Sequence, residues 1–111
     1  MFDKLHINEG MIIENIVSQS LKANGHNIYY YKKTDKKTKM TIMEIDFLIR
    51  QNNKVCPIEV KSTNNYSITS LKKFKNMYIK KIGRAYVLHN GDIKVEDDII
   101  YLPYYMAFCL K

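Results

Sequence analysis

The chain has 111 residues, a length that suits one compact domain. Hydrophobic residues make up 46% of it, which excludes a chain too polar to bury a core, and its two cysteines are too few for a disulfide framework. The formal net charge of +7 favours acidic partners, nucleic acid above all, without requiring one.

In chain order, "NEGMIIENIVSQSLKANGH" reads as a first helix with Asn8 as N-cap and Gly25 as its stop. Ile13, Ile16, Val17 and Leu21 recur at helical spacing and are expected to be buried, with Glu14 on the flank of that stripe. "NIYYY" is a strand, its tyrosines expected to pack rather than to offer a stacking platform. "KKTDKKTKM" offers almost nothing to bury and reads as a mobile, solvated loop over Lys32, Lys33, Lys36, Lys37 and Lys39. "TIMEIDFLIR" and "KVCPIEVKS" alternate with a period of two and are strands.

"SITSLKKFKNMYIKK" is a second amphipathic helix, with Ile68, Leu71, Phe74 and Tyr78 inward and Lys72, Lys73 and Lys75 in solvent. "RAYVLH" is a strand closed by the turn signal Asn90-Gly91, "IIYLP" is a short last strand, and "YYMAFCL" is a helical turn on the core. Cys56 and Cys109 are expected to be buried free thiols. His6, His26 and His89 lack the spacing of metal ligands and read as surface or structural histidines. No apolar stretch is long enough to span a bilayer, and with no signal peptide the expected compartment is the cytoplasm.

Acidic residues inside the two middle strands carry the functional argument. With Asn52-Asn53 as a two-residue turn, facing residues have numbers that sum to 105. Asp46 then faces Glu59 and Glu44 faces Lys61, while Ile45, Phe47 and Ile49 meet Val60, Ile58 and Cys56 on the other side. Facing carboxylates on neighbouring strands repel, and a divalent cation compensates them. Mg2+ accepts one or two carboxylates and completes its shell with water or phosphate. A half-exposed sheet face with cross-strand ion pairs explains the same pattern, since an acid-x-Lys triplet also occurs at Asp35/Lys37 and Asp92/Lys94.

"EIDFLI", a turn and then "CPIEVKS" resembles the active-site core of the PD-(D/E)XK nuclease superfamily, the restriction-endonuclease-like fold. "NEGMIIENIVSQSLKANGHNIYYY", "SLKKFKNMY" and "IYLPYYMAFCL" are similar to the C-terminal domain of many bacterial and archaeal AAA-type ATPases, so the resemblance covers most of the chain. It implies an α/β fold with a mixed four-stranded sheet flanked by helices, forming a single nuclease-like domain over 1–111 excised from a larger ATPase. Residue by residue it implies a catalytic set of Glu14, Asp46, Glu59 and Lys61. Asp46 and Glu59 would be ligands to Mg2+ or Mn2+, and Glu14 would help hold the metal directly or through water. The implied partners are nucleic acid and the parent's ATPase domain. The QxxxY arrangement of some related nucleases is missing, because Phe74 stands four residues before Tyr78, and no Walker-type glycine loop occurs. The same fold also serves as a non-catalytic regulatory or interaction module, which is the alternative function.

Overall fold

The computed structural model describes residues 9–61 and 68–110. Helix α1 (Glu9–Ala23) is followed by strands β1 (Tyr29–Thr34), β2 (Thr41–Gln51) and β3 (Lys54–Val60), then helix α2 (Thr69–Met77). Strands β4 (Ala85–His89), β5 (Lys94–Glu96) and β6 (Ile99–Pro103) lead into a C-terminal 3-10 helix (Tyr104–Cys109). The six strands form one mixed sheet in the order β1-β2-β3-β4-β6-β5. It is therefore larger than the four strands expected. Strands β3, β4 and β6 run parallel to their neighbours in the centre, and antiparallel pairs finish both edges.

Each boundary has a local cause. Gly25 ends α1 at φ +88°, with Gly25 N–H bonded to Lys22 O and His26 N–H to Leu21 O, the paired bonds of a Schellman stop. The expected cap Asn8 lies outside the described residues. Asn52 and Asn53 both take positive φ (52° and 65°), as a tight hairpin turn requires, and the register runs from Gln51↔Lys54 to Phe47↔Ile58 as the sum of 105 demands. A second turn of this kind, Asp97-Asp98 at φ 53° and 61°, joins β5 to β6. It makes a strand of Lys94–Glu96 that periodicity does not reveal, because three exposed residues have no face to alternate.

Two apolar layers cover the sheet. Val17 and Leu21 of α1 pack with Phe47, Ile49, Cys56, Ile58 and Leu88 on one side, where Ala107 and Leu110 of the C-terminal segment join them. Leu71 and Phe74 of α2 pack with Met43, Ile45, Ala85, Val87 and Ile99 on the other, with Ile68 and Tyr78 beside them. Ile16 departs from the expected stripe, being 54% exposed, because the helix turns only Val17 and Leu21 fully onto the sheet. Cys109 is exposed rather than buried, since the 3-10 helix directs Ala107 inward instead.

The lysine-rich segment also contributes more strand than expected. Lys32 and Lys33 belong to β1, paired with Glu44 and Met43, so the loop shrinks to a turn. Asp35 organises that turn by accepting from Lys37 N–H (3.0 Å) and Thr38 Oγ1 (3.1 Å). Two of the helix lysines are engaged as well: Lys75 Nζ donates to Asp98 O at 3.0 Å and Lys72 Nζ meets Asp97 Oδ2 at 3.4 Å, tying α2 to the β5–β6 turn. His26 Nε2 donates to Leu110 O (2.7 Å) and His89 Nε2 to Asp92 O (2.9 Å), which makes both structural, as expected; His6 lies outside the described residues. No helix among the described residues is long and apolar enough to cross a membrane.

Candidate active site at the fork of the sheet

The β2–β3 ladder stops at Phe47↔Ile58. Beyond it β2 continues against β1 alone, while Glu59 and Val60 pair with Val87 and Leu88 of β4. The two strands part, and their backbone amides there need other acceptors. Two carboxylates supply them. Asp46 Oδ2 accepts Val60 N–H at 2.8 Å, and Glu59 Oε1 accepts Asp46 N–H at 3.2 Å. Each acid thus bridges to the opposite strand where the backbone no longer does.

A bulge prepares this fork. Tyr29 pairs with Leu48 but Tyr31 with Ile45, so Asp46 and Phe47 together oppose Tyr30. The extra residue reverses the alternation. Met43 and Ile45 face the α2 layer, whereas Phe47 and Ile49 face the α1 layer. This corrects the expectation that Ile45, Phe47 and Ile49 share one face opposite Val60, Ile58 and Cys56. The acids converge nonetheless. Glu44, Asp46, Glu59 and Lys61 line one cavity of about 290 Å³, closed by Thr69 and Ser70 at the start of α2. Lys61 Nζ lies 3.0 Å from Glu59 Oε2, and the Lys61 backbone is held by its N–H on Leu88 O (2.8 Å) and by a short bond from Tyr104 Oη to its carbonyl. Glu14 stands across a neighbouring cavity of about 430 Å³ between α1 and the β1–β2 hairpin, which shares Glu44 and Asp46 with the first.

Residues 9–106 match the family described as a domain of unknown function, DUF4143. The chain belongs to that family. No curated protein matches it.

The electrostatics of this DUF4143 site follow from burial. Glu59 is only 4% exposed, and its carboxyl is pushed up to about 7, first by lost hydration and then by the Asp46 charge, against the pull of Lys61. Asp46 is raised too, again chiefly by burial, while the Val60 N–H and Lys61 hold it down. Glu14 is raised by partial burial and by the charges of Asp46 and Glu44. Burial more than mutual repulsion thus makes each of these acids harder to ionise than an exposed carboxyl.

The donor set suits a hard divalent cation only in part. Oxygens of two coupled carboxylates are the ligands Mg2+ and Mn2+ prefer, and a Mg2+ ion commonly keeps waters in place of further side chains. Among the described residues, however, no three His, Cys, Asp or Glu side chains gather closely enough to hold a metal by themselves. Glu59 is committed through both oxygens, to Asp46 N–H and to Lys61.

Three features of the DUF4143 site escape sequence reasoning. The bulge has no residue signature in "MEIDFL". Ser70, whose Oγ lies 3.5 Å from Glu44 N–H, reads as an ordinary helix residue. Tyr30, expected to pack, is 74% exposed opposite the bulge.

Proposed function

We propose that this DUF4143 domain is a PD-(D/E)XK nuclease-like module whose fork site supports metal-dependent hydrolysis of phosphodiesters. The observation that carries the reading is the Asp46–Glu59 pair, Glu59 buried and Asp46 half-buried, held at an opening of the sheet with Lys61 on it. Two neighbouring acids against the one ammonium of Lys61 go beyond the acceptors that the two amides need and leave charge for a cation to balance. Clusters that push carboxyls toward neutrality are characteristic of sites that bind cations or move protons.

Asp46 and Glu59 would hold Mg2+ or Mn2+, with Glu14 and Glu44 shaping the field around it. When bound, the metal would supply Lewis-acid polarisation of a phosphoryl oxygen and a more acidic water. Lys61 would set its ammonium against the charge that develops on the phosphate. Glu59, its carboxyl raised by burial to about 7, would give up its remaining proton as a cation binds and favours the ionised form.

A second reading has its own observation. Ile12 and Ile16 on α1, and Tyr105 and Phe108 on the C-terminal 3-10 helix, are large and exposed, and these two elements pack on one another. DUF4143 is often found in AAA-ATPase proteins, so such a surface suits a non-catalytic regulatory module docked on an ATPase domain.

Titration with Mg2+ or Mn2+, followed by NMR and by cleavage of labelled oligonucleotides, separates the two. Hydrolysis expects Asp46 and Glu59 signals to shift with the metal, and expects both binding and cleavage to fall in Asp46→Asn. Identical metal responses in wild type and Asp46→Asn withdraw Asp46 as a ligand and leave the docking module as the better reading.

A further inference from the structure

We infer that the substrate of this site is single-stranded nucleic acid, with an unpaired base stacked on Tyr30 and the adjoining phosphate neutralised by Lys32. This deepens the hydrolysis reading and rests on it for the placing of the reactive centre.

Tyr30 is the residue of β1 that faces the bulge at Asp46 and Phe47, and its ring centroid lies 5.9 Å from that of Phe47 in a tilted contact. One edge of the ring is therefore supported while most of the side chain, 74%, remains in water. An aromatic residue so exposed contributes little to the core, and burying its face on a ligand is where its surface energy lies. Tyr31, its neighbour, behaves differently. Its hydroxyl lies 3.1 Å from that of Tyr78 and its ring packs edge-on to Phe74. Packing accounts for Tyr31, whereas Tyr30 has only its edge contact with Phe47 and leaves most of its ring in water.

Tyr30 and Lys32 line the same cavity as Glu14, Glu44 and Asp46. At about 430 Å³ it lies near the small end of ligand-sized cavities, roughly 300–1,000 Å³, which suits one nucleotide and not a double helix. From Lys32 the hairpin continues outward with Lys33, Lys36, Lys37 and Lys39, all exposed. The single acid in that stretch, Asp35, is consumed by its own turn. A basic ribbon thus leads to an exposed aromatic ring beside a carboxylate cluster. That is the combination that tracks a flexible backbone and stacks its bases regardless of sequence. Paired bases offer no free face to such a ring unless the duplex is opened.

The test is fluorescence anisotropy in calcium and in chelator, with a labelled oligothymidylate and with the same strand annealed to its complement. The single strand is expected to bind at least about tenfold tighter than the duplex, because only it presents stackable faces. Tyr30→Ala should weaken that binding by roughly five- to hundredfold, whereas Tyr30→Phe should leave it unchanged. Lys32→Ala should lower the slope of log affinity against log salt by about 0.7, the value for one phosphate contact on a single strand. Thermal melts of the variants confirm folding, which exposed positions leave intact. Equal or tighter duplex binding, a Tyr30→Ala variant within about twofold of wild type, or no single-strand binding at low salt overturns the inference. Cleavage in manganese is scored separately. Metal-dependent cutting with Tyr30-independent binding removes this inference alone, and Tyr30-dependent binding without cutting removes hydrolysis alone.

Discussion

Replacing Glu59 by Gln tests the physical basis of the site directly. The side chain keeps its volume and its acceptor for Asp46 N–H but loses the ability to ionise. In the folded protein Glu59 titrates near 7 against an ordinary value of 4.5. Below 4.5 both folded and unfolded chains carry the proton, and the contribution of Glu59 to stability is fully present. Between 4.5 and 7 the unfolded chain releases a proton that the folded chain retains, so wild-type stability falls by ~1.4 kcal/mol per pH unit. By neutral pH the ionised, buried carboxylate has cost about 3 kcal/mol, a sum in which the favourable pull of Lys61 is already included.

The measurement is urea denaturation of wild type and Glu59→Gln from acid to mildly alkaline pH. The stability difference between them should move by about 3 kcal/mol across that window in favour of the variant, and level off above it. Magnesium should flatten the slope of the wild type by favouring the ionised pair and leave the variant's slope alone. A stability difference that stays constant between 4.5 and 7 would refute the reasoning, since Glu59 would then titrate as an exposed acid does.

Other expectations follow from particular contacts. In chelator, Asp46→Asn should be neutral or stabilising by up to ~1 kcal/mol in thermal melts, because the amide still accepts Val60 N–H while a repulsive charge is gone. Gly91→Ala should destabilise by about 1–3 kcal/mol, since a Cβ there would stand 2.8 Å from His89 Cε1, whose ring packs beside Tyr101. Gly25→Ala, with open space around it but φ of +88°, should cost only about 1 kcal/mol of backbone strain, so the two glycines separate crowding from conformation in one set of melts. Lys72→Ala with Lys75→Ala should lower stability by no more than ~1 kcal/mol through the Asp97-Asp98 turn, checked in the same melts.

The β2–β3 hairpin was legible because its information is local: two asparagines tolerate positive φ, and alternating residues then fix the register up to Phe47↔Ile58. The apolar stripe of α2 was legible for the same reason, with Leu71 and Phe74 buried as helical spacing requires. Asp46, Glu59 and Lys61 were brought together as the register implied, yet by another route. The bulge lies where β2 parts from β3 while still paired with β1, a feature of the sheet's topology that leaves no mark in "EIDF". Strand β5 was hidden by its brevity, and its turn by the absence of glycine, although Asp97-Asp98 offers the same tolerance of positive φ as Asn52-Asn53. Ile16 was misplaced because helical spacing fixes angular position but not how wide an arc the sheet covers.

The exchange of Asp46 and Glu59 across the fork has one more consequence. The two side chains that would greet an incoming cation are the same ones that shield two main-chain amides from water. Occupancy would then compete with protection for the orientation of the same two side chains. A ligand that draws either carboxylate toward itself leaves the Asp46 or Val60 N–H exposed, and hydrogen–deuterium exchange at those two amides should quicken as the site fills. Exchange at these two amides would thereby report any binding at the fork without substrate or turnover.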